Sequence, residues 1–336
     1  MVLWESCSCP QKERDPLRYV EIERKDNRKS GERMIYTVTL NASIDYHVWL
    51  QTLTQSSIHE AQKEWKSAGG KGINVSKVLR NLGLPSVALG FAGGFSGAFI
   101  RQELEREGIV HQLISIAEDS RINIKIKAGT ETDISGVSPS IPSEAQGQLL
   151  GQLDLLTGND VLVLAGSVPA SMPADFYGSI MQRLRPRGVN VILDAKGKAL
   201  AQALPEGPFL IKPNQHELGE LFGVQVATFE EAVYYAKKAM EIGASNVIVT
   251  LGGNGAVLVS PETELVAQFP KQQAVNSIGA GDSVVAGFLY GVSHQWEIRD
   301  AFRYAVAAGC STAISEGFCT RENIDAFLPQ ITLIER

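Results

Sequence analysis

From Leu150 onward the chain repeats one pattern: a short apolar run, a polar turn, then a segment with helical spacing. The apolar runs are Val161–Ala165, Val189–Leu193, Phe209–Ile211 and Val247–Thr250. Strands this uniformly apolar are expected in a parallel sheet covered on both faces. Their alternation with helical segments predicts an α/β layer architecture with right-handed crossovers. Upstream, residues 34–41 read as a strand, Val75, Val78, Leu79 and Leu82 share one helical face, and residues 87–91 form another strand before a helix through Glu107. Arg121-Ile-Asn-Ile-Lys-Ile-Lys127 instead alternates apolar with polar, the mark of a half-exposed strand. Two segments, about 46–66 and 112–137, are therefore expected to form a small exposed sheet.

In sheets of this kind chemistry collects at the carboxyl ends of the strands. Polar residues fall there: Asn41 and Asp45, Gly166 and Ser167, Asp194, Lys212-Pro213-Asn214, and Gly252-Gly253. Gly279-Ala280-Gly281-Asp282-Ser283 is the sharpest of these stretches. Its glycines let the backbone turn tightly with its N–H groups uncovered, and Val284, Val285, Phe288, Leu289 and Val292 continue it as one side of a helix. A helix start offers unpaired donors and partial positive charge, which suits a phosphoryl group. Asp282 at that start is either an N-cap or a catalytic carboxylate.

Composition narrows the classes. With 336 residues and 44% hydrophobic content, the chain can build one large core and a small lid. A net charge of -6 argues against a nucleic-acid binder, and no apolar run reaches the roughly 18 residues of a membrane span. Cys7, Cys9, Cys310 and Cys319 match neither a disulfide framework nor a zinc site, so reduced thiols in a cytoplasmic protein are expected. Residues 1–33 are dense in charge and lack a secretory apolar stretch; they read as a flexible tail.

The remaining motifs each carry two readings. Ala68-Gly-Gly70-Lys71-Gly-Ile-Asn74 is either a strand-to-helix turn or a set of amides and an Asn74 side chain for sugar hydroxyls, with Lys71 beside a phosphate. It is not a P-loop, because no Ser or Thr follows the lysine. Asn214 and Glu217, three apart after Pro213, are either a capping pair or a place for Mg2+ and its waters. Thr250 to Gly255 is either a plain hairpin or bare backbone for a nucleotide, and Asp45 either a turn residue or an acceptor for sugar hydroxyls.

Taken in order, Thr39-Leu-Asn-Ala-Ser-Ile-Asp45, Ala68 to Asn74, Gly166-Ser-Val-Pro169, Lys212-Pro-Asn-Gln-His-Glu217 and Gly279 to Ser283 resemble the PfkB (ribokinase-like) carbohydrate kinases. The resemblance spans about residues 34–330; Ala42 stands where the family's first motif often has proline, and residues 1–33 have no counterpart. It implies a three-layer α/β/α fold with a mostly parallel sheet and a small β-lid, using ATP and Mg2+. Lys71 in Gly-Gly-Lys-Gly and Arg121 to Lys125 place it with the hexose-phosphate branch. The implied substrate is fructose 1-phosphate, with tagatose 6-phosphate or fructose 6-phosphate as alternatives. By this resemblance Asp45, Gly70, Asn74 and Ser167 hold the sugar, and Lys71 and Arg121 its phosphate. Lys212, Asn214, Thr250, Gly252 and Gly255 hold the nucleotide, and Glu217 with Asn214, through water, the Mg2+. Gly279, Ala280 and Gly281 stabilise the moving phosphoryl group, and Asp282 is the general base. The lid's apolar face suits pairing with a second subunit. Two rivals are a non-catalytic sugar-phosphate sensor and a dinucleotide-dependent oxidoreductase, the second disfavoured because the third glycine of the dinucleotide fingerprint is missing.

Overall fold

The structure, a computed structural model, describes residues 33–275 and 278–336. The tail expected over residues 1–33 lies outside the described residues apart from Arg33, as do Asn276 and Ser277. The chain opens with β1 (Ile35–Thr39), β2 (Ser43–Trp49), β3 (Lys63–Gly69), α1 (Lys71–Asn81), β4 (Ser86–Gly93) and α2 (Gly94–Arg106). Then come β5 (Val110–Ile116), β6 (Arg121–Ala128), β7 (Thr130–Ile134), α3 (Ser143–Leu153), β8 (Val161–Ala165) and α4 (Phe176–Leu184). The middle holds β9 (Asn190–Asp194), α5 (Gly197–Ala203), β10 (Leu210–Ile211), α6 (Gln215–Phe222), α7 (Phe229–Ile242) and β11 (Asn246–Thr250). Last are β12 (Ala256–Val259), β13 (Glu264–Gln268), α8 (Ala280–Ser293), α9 (Ile298–Ala313), α10 (Arg321–Phe327) and β14 (Thr332–Glu335).

Ten strands form one sheet in the order β14-β13-β12-β11-β10-β9-β8-β1-β4-β5. All neighbours from β11 to β5 pair parallel, and β12, β13 and β14 add antiparallel pairs at one edge. The uniformly apolar strands are explained by two cores. In β8, Leu162 and Leu164 join Leu149, Ile180, Leu200, Leu218 and Val233 from α3 to α7 on one face. Val161, Val163 and Ala165 join Val78, Phe288, Phe302 and Ile324 from α1, α8, α9 and α10 on the other. Each such side chain contributes about 1.5–3 kcal/mol by leaving water, so both faces must be apolar for the middle layer to hold. The periodicity of α8 predicts one apolar side, yet every residue from Asp282 to Gly291 is buried. Gly287 and Gly291 lie against Ala305 and Ala301, which lets α9 close over the rest of the helix.

A second sheet runs β3-β2-β6-β7. Ser43, Asp45, His47 and Trp49 of β2 pair with Arg121, Asn123, Lys125 and Lys127 of β6, so these polar residues share one face. Ile44, Tyr46 and Val48 pair with Ile122, Ile124 and Ile126 on the other. One boundary corrects the expectation. Residues 112–116, predicted in the small sheet, belong to β5, which pairs parallel with β4 at the edge of the large one. The small sheet also begins earlier, at Ser43.

Candidate active site

The strand order reverses at β1, with β8 on one side and β4 on the other, and a crevice forms outside the carboxyl ends there. The small sheet covers it. The cavity between them has about 450 Å3 and is lined by Asp45, Lys71, Arg121, Asn123, Glu217 and Asp282, among others.

Asp282 sits in the first turn of α8, but it does not cap that helix. The N-cap is Gly279, held at φ 76°, with no side-chain cap. That left-handed backbone favours glycine and turns the first amides of α8 toward the crevice. The Asp282 carboxylate instead accepts from Asn74 Nδ2 at 2.8 Å, across from α1. Burial raises its pKa to about 6, and the nearby Asp194 charge adds to the rise, against the pull of Lys71, the Asn74 bond and Lys212. A carboxylate with this pKa is mostly ionised at neutral pH, yet more basic than an exposed aspartate.

Below it lies a buried charge cluster. Asp194, at the carboxyl end of β9, takes Lys71 Nζ at 2.9 Å and Lys212 Nζ at 3.4 Å on the same oxygen. Burial alone would raise the Asp194 pKa, but the two ammonium groups, Lys212 and then Lys71, outweigh it and hold the carboxyl below its ordinary value. Burial likewise opposes the charge on Lys71; Asp194, Asp282 and Glu217 overcome it and raise the lysine well above its usual range. Lys71 is thus tied to carboxylates at 2.9 and 3.8 Å, where the sequence reading set it beside the substrate's phosphate. Asn214 and Glu217 form a capping box on α6: Asn214 Oδ1 accepts from the amides of His216 and Glu217, both at 2.9 Å, and Glu217 Oε2 from the Asn214 amide at 3.0 Å. Glu217 Oε1 faces Lys71.

Across the cavity, Asp45 lies in β2 rather than in a turn. Its Oδ1 accepts from Ser43 Oγ at 2.9 Å and from Asn123 Nδ2 at 2.8 Å. Gly69 leaves it room, for a methyl there would come within 2.5 Å of the Asp45 carboxyl carbon. Arg121 Nε donates to the Asn41 carbonyl at 3.3 Å, and no carboxylate among the described residues forms an ion pair with it. Burial lowers the Arg121 pKa, partly offset by Asp45. A guanidinium with most of its five donors open is suited to an incoming anion.

Beside the cavity, sharing Thr250 and Gly281 with it, a mostly apolar slot of about 280 Å3 lies under the turn between β11 and β12. Gly252, Gly255, Val284, Val306 and Cys310 line it, together with Ala280. Burial pushes the Cys310 thiol up to about 12, so it acts as apolar wall. The turn is indeed a hairpin between antiparallel strands, and Thr250 N also donates to the Pro213 carbonyl at 3.1 Å, joining it to the Lys212–Asn214 segment.

Asp45, Gly70, Lys71, Asn74, Arg121, Lys212, Asn214, Glu217, Thr250, Gly279, Gly281 and Asp282 therefore line one cavity, and Gly252, Gly255 and Ala280 the adjoining slot. Ser167 lines neither; its hydroxyl accepts from Asn41 Nδ2 at 3.1 Å. Asn74, expected to hold sugar, spends its amide on Asp282. The sequence reading gave no role to Asp194, Asn123 or Lys125. Asp194 carried a signal, being polar at the end of an apolar strand; Asn123 and Lys125 carried only their alternation with Arg121.

An open α/β sheet with a helix-start amide turn, a desolvated carboxylate and a polar lid-like sheet defines a sugar-kinase architecture, and the comparisons agree. Residues 37–323 match the model of the pfkB family of carbohydrate kinases, and the chain belongs to that family. It is 45% identical over 298 residues to 1-phosphofructokinase of Bacillus subtilis, covering 89% of this chain and 98% of that protein. It is 33% identical over 301 residues to D-tagatose-1-phosphate kinase of Bacillus licheniformis, covering 89% and 99%. The structure of phosphofructokinase-2 from Escherichia coli with substrates and products superposes with a TM-score of 0.84 at 25% identity, over 89% of this chain and 99% of that one. The chain is an enzyme, a phosphotransferase acting on carbohydrate.

Proposed function

We propose that this enzyme transfers the γ-phosphoryl group of ATP to fructose 1-phosphate, giving fructose 1,6-bisphosphate. The observation that carries the reading is the desolvated Asp282, which does not cap α8, on one wall of the cavity, with Arg121, free of ion pairs among the described residues, on the facing sheet. Asp45, with Gly70 beside it, receives the sugar hydroxyls, and Arg121 the phosphate the sugar already bears. The slot beneath Gly252 and Gly255 takes the base of ATP, and Thr250, Lys212 and Asn214 lie where its phosphates pass into the cavity. Asp282 takes the proton as the substrate's O–H bond breaks. The new O–P bond forms, and the bond from the γ-phosphorus to the bridging oxygen breaks to release ADP. The first-turn amides of α8, at Ala280, Gly281 and Asp282, with the ammonium groups of Lys71 and Lys212, stabilise charge on the moving group.

Mg2+ supplies further charge neutralisation when it arrives with the nucleotide. An ion that comes with a nucleotide is held chiefly by phosphates and water. Glu217 Oε1, left open by the capping box, with Asn214 beside it, is the group to receive that ion's waters. The small sheet acts as the lid that excludes water. Its outer face, with Tyr46, Val48, Ile124 and Ile126 half-buried and Ile134 exposed, suits a second copy of the chain. Free, buried Cys310 and Cys319 fit a cytoplasmic protein.

The test is a panel of hexose phosphates and free hexoses with ATP and Mg2+, followed by ADP release. Fructose 1-phosphate is expected to exceed free fructose in kcat/KM by about 100-fold or more, since free fructose forgoes the charge-assisted bonds to Arg121. Equal turnover of free fructose would overturn the assignment, and preference for a tagatose phosphate would move it within the family.

A further inference from the structure

The alternation of β6 puts Lys125 on the same wall of the cavity as Arg121 and Asn123. Its ammonium group is not open. It meets Asp133 Oδ2 at 2.7 Å, and Asp133 stands directly opposite it on β7, an edge strand of the small sheet. The two partners differ in burial: the Lys125 side chain is 14% exposed and that of Asp133 50%. Asp133 nevertheless lines the cavity. A phosphate settling on Arg121 therefore finds its neighbouring cation already neutralised by a carboxylate of its own sign.

We propose that the Lys125–Asp133 ion pair is displaced when the substrate's phosphate binds, and that Asp133 sets how tightly that phosphate is held. This rests on the hexose-phosphate reading above and refines it. Lys71, the cation that the glycine turn suggested, is bound to the buried Asp194 at 2.9 Å and could leave only by surrendering that carboxylate's shorter ion pair, with Lys212 at 3.4 Å as its remaining partner. Lys125 has the opposite arrangement. Its partner sits on an edge strand with its side chain half in water, so Asp133 can swing outward and be hydrated while the arriving phosphate takes over the pairing of the largely buried ammonium group. The released ammonium group then joins Arg121 in a charge-assisted grip on the phosphate. Asp133 thus acts as a competitor built into the site, which keeps Lys125 positioned and holds back weakly charged ligands.

The two partners should respond with opposite signs. Lys125→Gln removes a phosphate contact and is expected to raise KM for fructose 1-phosphate about 10–100-fold. Asp133→Asn removes the competitor and should lower that KM about two- to fivefold, a modest gain because the Asp133 side of the pair already faces water. The double variant should behave as Lys125→Gln, and KM for ATP should stay within twofold throughout. Direct binding of fructose 1-phosphate without nucleotide, read by quenching of Trp49 and Trp65 fluorescence, should follow the same order. A pair that merely braces the hairpin would make both variants worse. Wild-type turnover of fructose 1-phosphate with an unchanged or raised KM in Asp133→Asn overturns this proposal alone. A wild type that neither binds nor phosphorylates any hexose phosphate overturns the functional reading and this proposal with it.

Discussion

Replacing Asp282 with asparagine should make the protein more stable and nearly inactive at once. The carboxylate is 5% exposed, and its pKa rises from an ordinary 3.8 to about 6. At about 1.4 kcal/mol per pH unit, the native state disfavours the ionised form by about 3 kcal/mol. The sign follows from proton linkage. Between about pH 4 and pH 6 the native protein binds more protons at this site than the unfolded chain, so stability falls as pH rises through that window. Above it the full penalty is present. Asparagine carries no such penalty and keeps an oxygen to accept from Asn74. Asp282→Asn should therefore exceed the wild type by about 3 kcal/mol at pH 8 and by about half of that at pH 5. For a domain of this size that is a rise in Tm of about 5 °C at pH 8. Turnover should drop by about 10²–10⁴-fold, the usual loss when a general base is removed. In the wild type, kcat/KM should fall about tenfold per pH unit below about pH 6, because only the ionised carboxylate accepts the proton. Melting curves from pH 5 to 8 and steady-state kinetics read both effects. A stability difference that does not change with pH, or a less stable variant at pH 8, would refute the burial penalty. A kcat within threefold of wild type would refute the base.

Two further changes probe the walls of the site. Gly69→Ala should push the Asp45 carboxylate off Ser43 and Asn123, raising KM for the hexose phosphate about tenfold or more while KM for ATP stays within twofold; an unmoved KM for the sugar would show that Asp45 does not hold it. Asn214→Ala should cost about 1 kcal/mol through the lost capping box on α6, a loss that Asn214→Ser recovers in the melting curve. If Asn214 also orders water around Mg2+, the serine variant stays slow and needs more Mg2+ for half-maximal rate; full recovery of kcat would reduce Asn214 to a cap.

The α/β alternation and the strand-end positions of Lys212 and Thr250 were legible in the sequence, because they arise from local rules; Asp45, expected at a strand end, lies inside β2. Runs such as Val161–Ala165 have to be covered on both faces wherever they sit, and a Gly-Ala-Gly turn before an apolar segment opens a helix in almost any context. The assignment of 112–116 failed for the same reason. A half-covered strand looks alike at the edge of either sheet, and only pairing with β4 settles which one it joins. Whether Asp282 was a cap or a reactive carboxylate was also beyond local pattern, since its partner Asn74 is 208 positions away and its pKa depends on burial. The tertiary structure alone gathers Asp194, Lys71 and Lys212 into one cluster, leaves Arg121 without an ion-pair partner among the described residues, and sets Asp133 against Lys125. Periodicity reports which side of an element is covered; charge interactions depend on distance and dielectric, and those exist only once remote segments have been packed together and water has been excluded between them.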